Sequence, residues 1–146
     1  VDSSNPAIAE ARIEGELVII TQKSIGVTTI AITADDGKGG KAQVSFKFGV
    51  YGVIADLRAE ASSNFIYLYW DPYGEYADGE LEYHIYIDGE FSDSTNSNTM
   101  SFTELEPSTT YSLRVEALYR GDIIAFGDYD VTTMYLMDDN EPIELD

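Results

Sequence analysis

Apolar residues in this chain recur at every second position, in short runs that Gly, Asn, Asp and Ser interrupt. Every second residue from Ala42 to Val50 is apolar, and Ile66, Leu68 and Trp70 alternate in the same way. A period of two places alternate side chains on one face of a β-strand, whereas an amphipathic helix needs a period of about 3.6 residues. No segment shows the helical period convincingly. The sequence therefore predicts an all-β fold.

Charge and composition exclude several classes of function. The 146-residue chain has 27 Asp and Glu residues against 8 Lys and Arg, a formal net charge of −19, and no Cys. Nucleic acid and anionic lipid surfaces bind clustered Lys and Arg, so we expect neither as a partner. Membrane insertion is not expected, because no apolar run approaches the roughly 20 residues that span a bilayer. Without Cys there is no disulfide, thiolate zinc site or cysteine nucleophile.

The spacing of the alternating segments is typical of a β-sandwich. Asp35 to Gly40 and Asp88–Gly89 have the composition of tight turns, and the polar segment 71–80 is predicted to be a loop. The predicted strands are 16–21, 29–34 and 41–50 in the first third, then 54–61, 66–70, 81–88, 98–103, 109–119 and 123–133.

From about Val53 to Met134 the chain resembles a fibronectin type III domain. Trp70 ends a strand, Tyr83 lies in the next, and Leu105 to Tyr111 reproduces the family's Leu-x-Pro-x-Thr-x-Tyr pattern. The resemblance implies an Ig-like β-sandwich in which Trp70 is the central core aromatic residue and Tyr111 is a tyrosine corner. It assigns five residues to the structural core: Trp70, Tyr83, Leu105, Pro107 and Tyr111.

The first third resembles the C-terminal half of bacterial Ig-like or cadherin-like modules. The similarity rests on Ser3 to Ala9, Gly26 to Gly37 and Phe46 to Val50. In such modules further strands precede this part and complete the sandwich. We therefore expect a partial β-sheet module at 1–51, a type III domain at 52–135 and an acidic tail or linker at 136–146.

A partial sheet has an apolar face that needs a cover. Three explanations remain open. The chain is a fragment of a longer protein, or the partial sheet packs on the second domain, or another copy supplies the missing strands by β-augmentation.

Arg120, Gly121 and Asp122 are a candidate binding site. They lie between the last two predicted strands, where the integrin-binding member of the type III family presents the same tripeptide. The alternative is that Gly121–Asp122 simply form the hairpin turn.

Several tyrosines are predicted to be exposed. If Ile66 and its alternate neighbours face inward, Tyr67 and Tyr69 face outward, as does Tyr86 on a later strand, and Tyr73 and Tyr76 add rings on the adjacent loop. Such rings suit carbohydrate or a protein partner. Cross-strand tyrosines can equally serve to stabilise an exposed sheet face.

No cofactor is expected, although Ca²⁺ is a candidate ligand because carboxylates cluster in the sequence. Asp138 and Asp139 open the C-terminal tail, and more acids lie between Asp71 and Glu80. Ca²⁺ takes six to eight oxygen ligands, but no segment has the spacing of a calcium loop, and solvated surface charge is the alternative. His84 is predicted to face outward and has no second His or Cys with which to share a metal. No motif sets two carboxylates in a sugar cleft, so we do not expect an enzyme.

These patterns predict a non-catalytic spacer or adhesion module of a larger secreted or cell-surface protein, extracellular and of bacterial type. Its expected partners are the neighbouring domains of that protein. The alternatives are a carbohydrate-binding accessory module that uses exposed Tyr, and an assembly subunit that exchanges strands with another copy. Residues 49–53 contain no Pro or Ser, which predicts a rigid joint between the two parts.

Overall fold

Every regular element of the protein is a β-strand in the computed structural model, which describes residues 1–77 and 79–137. The predicted all-β class is confirmed. The chain divides into two compact units. The first unit contains residues 1–52 together with 122–124, and the second contains the described residues of 53–121 together with 125–137.

The first unit contains a three-stranded antiparallel sheet and a separate two-stranded hairpin. Its strands are β1 (Asp2–Ser3), β2 (Ala9–Glu14), β3 (Leu17–Gln22), β4 (Gly26–Asp35) and β5 (Lys41–Val50). The sheet order is β1-β4-β5, and β2 pairs with β3. Strand β2 was not predicted, although its sequence AEARIE alternates apolar and charged residues, because two of its three apolar residues are alanines, which have a low strand propensity.

The turn between β4 and β5 occupies the predicted position, and a side chain closes it. The backbone N–H groups of Lys38 and Gly40 donate to Asp36 Oδ1 at 2.8 and 2.9 Å. These two hydrogen bonds lower the pKa of Asp36, because they favour the ionised carboxylate. The turn is therefore held by a charge as well as by its glycines.

The first unit buries little apolar surface. Ile30 on β4 is fully buried, but its partner on β5, Phe46, is 40% exposed, and Val44 on the same face is 60% exposed. In the hairpin, Ile13 and Leu17 are also exposed. Large apolar side chains thus remain in contact with solvent on both parts of this unit.

The remaining strands form two sheets. They are β6 (Gly52–Val53), β7 (Arg58–Ala61), β8 (Ile66–Tyr69), β9 (Leu81–Ile87), β10 (Glu90–Thr95), β11 (Thr99–Phe102), β12 (Thr110–Tyr119) and β13 (Asp122–Thr132). One sheet has the order β10-β9-β12-β13-β6 and the other β11-β8-β7.

The hydrophobic core of the second unit lies between these sheets. Trp70, directly after β8, is 2% exposed, and its ring centroid lies 5.1 Å from that of Tyr83 on β9 in an edge-on contact. The most deeply buried aliphatic residues around this pair are Ile66, Leu68, Ile85, Leu113 and Val115. Alternate residues of both sheets therefore interdigitate, as in an aligned β-sandwich.

Two features of the second unit differ from the sequence expectation. The strand predicted at 54–61 begins only at Arg58, because Asp56 adopts φ +51° in a turn. Ile54 nevertheless joins the sandwich, since its N–H donates to the carbonyl of Phe126 at 3.1 Å. Strand β10 was not predicted, because its sequence EFSDST is mostly polar.

Candidate functional site

The five residues assigned to the structural core lie in the second unit. Trp70 and Tyr83 are buried, whereas Leu105, Pro107 and Tyr111 are half-buried. The backbone N–H of Glu106 donates to the Tyr111 hydroxyl at 2.9 Å, which is the geometry of a tyrosine corner. These contacts place the five residues in the scaffold of the sandwich.

The tripeptide at 120–122 forms a tight turn. Arg120 and Gly121 have φ of +51° and +85° and make the two-residue connection between β12 and β13, and Asp122 is the first residue of β13. The turn is therefore centred on Arg120–Gly121 and not on Gly121–Asp122. A twisted hairpin favours a turn with positive φ at both central residues, which explains the difference. The Arg120 guanidinium carbon lies 5.0 Å from the ring centroid of Tyr119.

The predicted tyrosine surface is divided between two sheets. Tyr67 and Tyr69 lie on β8, with ring centroids 5.7 Å apart, and the Arg58 guanidinium lies 5.2 Å from the Tyr69 ring. Tyr86 lies on β9 in the other sheet, 5.8 Å from Phe91. All three tyrosines are half-buried, not fully exposed, because neighbouring side chains cover them. They cannot form one platform.

Charged and aromatic side chains contact one another around Tyr86. Arg114, opposite Tyr86 on β12, lies 4.1 Å from the Phe126 ring centroid and places its Nε 3.3 Å from Glu116 Oε2. Burial of the Tyr86 ring raises its pKa, and the neighbouring Glu116 carboxylate raises it further. His84 is half-buried, with Nε2 3.3 Å from Glu82 Oε1.

The predicted calcium residues, Asp138 and Asp139, lie outside the described residues. Within 1–77 and 79–137, no group of three or more His, Asp and Glu side chains is placed to hold a metal ion. The described ranges also contain no helix long and apolar enough to cross a membrane. Ca²⁺ binding stays a prediction.

A cleft that sequence reasoning did not identify opens in the second unit. Its volume is about 370 Å³. Its wall includes Tyr73 and Tyr76 of the loop after β8, Tyr83 of β9, and Asn96 and Asn98 of the turn between β10 and β11. The two loop tyrosines were the available signal in the sequence, but their position relative to the two amides depends on the folded loops.

No protein-family model matches this chain, and no curated protein sequence matches it. Solved structures do. The sixth fibronectin type III domain of a human fibronectin type III domain containing protein 3 has a TM-score of 0.52 at 16% identity, and covers 65% of this chain and 96% of that chain. The fibronectin type-III domain of a human protein of the same description has a TM-score of 0.51 at 18% identity, and covers 65% of this chain and 98% of that chain.

A third similar structure contains several domains. The central fibronectin-III array of RIM-binding protein has a TM-score of 0.50 at 14% identity and covers 87% of this chain, which in turn spans about half, 52%, of the array. None of these three structures is a bacterial Ig-like or cadherin-like module, and that resemblance of residues 1–51 stays a prediction. Such identities establish the fold alone: this chain contains a β-sandwich of the fibronectin type III fold.

Proposed function

We propose that this chain is a non-catalytic structural module, a spacer or adhesion scaffold of a larger secreted or cell-surface protein. Domains of the fibronectin type III fold are commonly structural or adhesion modules in larger proteins. One of the similar structures is itself an array of such domains. Fold alone does not define function, so the proposal needs support from the residues.

The proposal rests on one observation: the aromatic residues that define the fold pack inside the sandwich or hold its backbone. Trp70 and Tyr83 form the centre of the core, and the Tyr111 hydroxyl fixes the chain that enters β12. Two connections are two-residue turns, Asp88–Gly89 and Arg120–Gly121, whose central residues all have positive φ. Short turns on a packed sandwich give a compact unit suited to transmit load.

The connection between the two parts also supports a spacer. Strand β5 ends at Val50 and β6 begins at Gly52, so Tyr51 alone separates them. A one-residue connection leaves few backbone torsions free, unlike a Gly/Ser-rich linker. We therefore expect proteases to cleave slowly between Phe48 and Ile54, and rapid cleavage there would contradict a rigid joint.

Stretching single molecules of the full chain tests the spacer role. Unfolding of the sandwich should appear as one discrete step of roughly 250 Å, the extended length of about 80 residues less the folded length. Trp70→Ala should lower the force of that step, whereas Tyr129→Phe, at an exposed position, should not. Gradual extension without a step would contradict a load-bearing module.

An assembly role through the first unit is the second candidate, and the exposure of β5 favours it. This ten-residue strand lies at the edge of its sheet and carries the exposed Val44 and Phe46. Exposed apolar edge strands pair readily with other chains. Light scattering should then show oligomers that Phe46→Lys abolishes. Val53→Lys, also at an exposed edge, is the matched control and should leave the oligomers intact.

A further inference from the structure

Buried and exposed side chains together line the cleft of the second unit. Leu81 and Tyr83 of β9 line it, and both side chains are buried. On one side Tyr73 is half-buried and Tyr76 is 39% exposed. On the other side lie Asn96, Ser97 and Asn98. The volume of about 370 Å³ falls within the range of small-molecule sites, roughly 300–1,000 Å³.

Hydrogen bonds and ring contacts hold the aromatic side of the cleft. The N–H of Tyr73 donates to the Tyr83 hydroxyl at 2.9 Å, which fastens the loop to β9. The Tyr76 ring packs on Tyr119, with ring centroids 5.1 Å apart. Gly74 between them adopts φ +65°. A Cβ there would meet the Tyr76 ring, so glycine lets that ring lie against the backbone of the loop.

The two asparagines are also fixed, in one orientation each. Asn96 Nδ2 donates to the carbonyl of Leu81 at 2.7 Å, and Asn98 Nδ2 donates to the carbonyl of Trp70 at 2.8 Å. The N–H of Trp70 donates in return to the carbonyl of Asn98 at 3.1 Å. Each amide thus gives one N–H of its Nδ2 to the backbone, and its Oδ1 is the acceptor that it can offer to a ligand.

This set of groups defines the chemistry of a ligand. Tyrosine rings offer flat apolar faces that match the C–H face of a pyranose, and amide and hydroxyl oxygens accept hydrogen bonds from sugar hydroxyls. The net charge of −19 repels anions. We propose that this cleft binds a neutral carbohydrate, with Tyr76 stacking on the sugar ring and Asn96 and Asn98 accepting hydrogen bonds from its hydroxyls.

The site differs from the tyrosine surface predicted from the sequence. Tyr67 and Tyr69 lie on β8, where Tyr69 already stacks with Arg58, and Tyr86 contacts Phe91. Tyr76 also contacts a neighbour, Tyr119, but it is 39% exposed and lines the cleft, which those three tyrosines do not. Sugar binding in this cleft does not depend on the proposed spacer role, because a structural module can also bind a ligand.

Amide NMR titration of the full chain tests the proposal, with methyl β-glucoside, methyl α-mannoside and cellobiose as probes. At least one should bind in the millimolar range or tighter and shift the amides of Tyr73, Tyr76, Ser97 and Asn98. Tyr76→Ala should weaken binding roughly 2- to 10-fold, and Tyr76→Phe should stay within about twofold, because the ring supplies the stacking. Tyr129→Ala, at an exposed position outside the cleft, is the control and should leave the affinity unchanged.

Tyr76→Ala could weaken binding by disturbing the loop after β8, so a second variant blocks the cleft from the opposite loop. Ser97→Phe places a ring in the cleft from an exposed position and should abolish the shifts while the rest of the spectrum is retained. Glucuronate and choline serve as probes of the opposite charges. The proposal is wrong if none of the neutral sugars shifts these amides, if choline or glucuronate alone does so, or if Tyr76→Ala leaves the affinity unchanged.

Discussion

Tyr111 shows how one hydroxyl contributes to the sandwich. It accepts the N–H of Glu106, and the carbonyl of Glu106 accepts the Thr133 hydroxyl at 2.6 Å, so three chain segments meet at this point. Tyr111→Phe keeps the ring and removes the acceptor. We expect it to lower the free energy of unfolding by about 1 kcal/mol, measured by urea denaturation. Tyr129→Phe, at an exposed position, should change it by less than about 0.5 kcal/mol.

Asp36 should make the order of the β4–β5 turn depend on pH. Its pKa is lowered in the folded chain, mainly by the hydrogen bond from Lys38 and then by that from Gly40. The stabilisation is therefore present above the ordinary Asp value of 3.8 and is lost as the pH falls through the lower folded value. The protection of the Lys38 and Gly40 amides, measured as their exchange rate relative to the intrinsic rate at the same pH, should therefore fall as the pH drops below the ordinary Asp value.

The isosteric variant Asp36→Asn is the control for this titration. Its amide oxygen still accepts the two backbone hydrogen bonds, but it carries no titrating charge. The protection of the Lys38 and Gly40 amides should then no longer depend on pH in this range. If the variant and the natural sequence respond to acid alike, another group controls the turn.

The stability of the Arg120–Gly121 turn depends on the backbone conformation of Gly121 and not on side-chain contacts at that residue. A Cβ at Gly121 would meet nothing within 4 Å, yet φ is +85°. Gly121→Ala should therefore destabilise the fold by about 1 kcal/mol in thermal or urea unfolding. Gly121→Asn should cost less, because Asn tolerates positive φ. Equal losses for Ala and Asn would show that the turn is sensitive to bulk instead.

Strands with large alternating apolar residues could be predicted from the sequence, whereas β2, which alternates but is rich in alanine, and the polar β10 could not. Ile66, Leu68 and Trp70 are buried as their period of two indicates. Strand β10 forms because it pairs with β9, and its residues EFSDST carry no apolar face of their own. Partner strands, not local sequence, determine such segments.

The same limit applies to the candidate sites. Alternation correctly places Tyr67 and Tyr69 on the face opposite Leu68, but it cannot show that Arg58 covers one of them. The cleft depends on hydrogen bonds between residues far apart in the sequence, such as Asn98 with Trp70. The pattern of residue types alone does not reveal these contacts.

The two units bury unequal amounts of apolar surface. Among the described residues, Ala9 and Ile30 are the only buried apolar side chains of the first unit. The second unit buries Trp70, Tyr83, Ile85 and most of its large aliphatic side chains. Since apolar burial is the main favourable term in folding, we expect the first unit to be the less stable.

Two spectroscopic probes can separate the units, because Trp70 is the only tryptophan of the chain and lies in the second unit. Tryptophan fluorescence should therefore report the sandwich, whereas far-UV circular dichroism reports strands of both units. In urea the dichroism should begin to change at a lower concentration than the fluorescence, because the less stable first unit should unfold first. A single cooperative transition of the whole chain would instead make the two curves coincide. Ile30→Ala should move the early part of the dichroism curve alone, and Leu68→Ala should move the fluorescence curve by about 2–5 kcal/mol in unfolding free energy. Coincident curves in all three proteins would mean that the two units unfold as one, and that the thin core of the first is stabilised by the second.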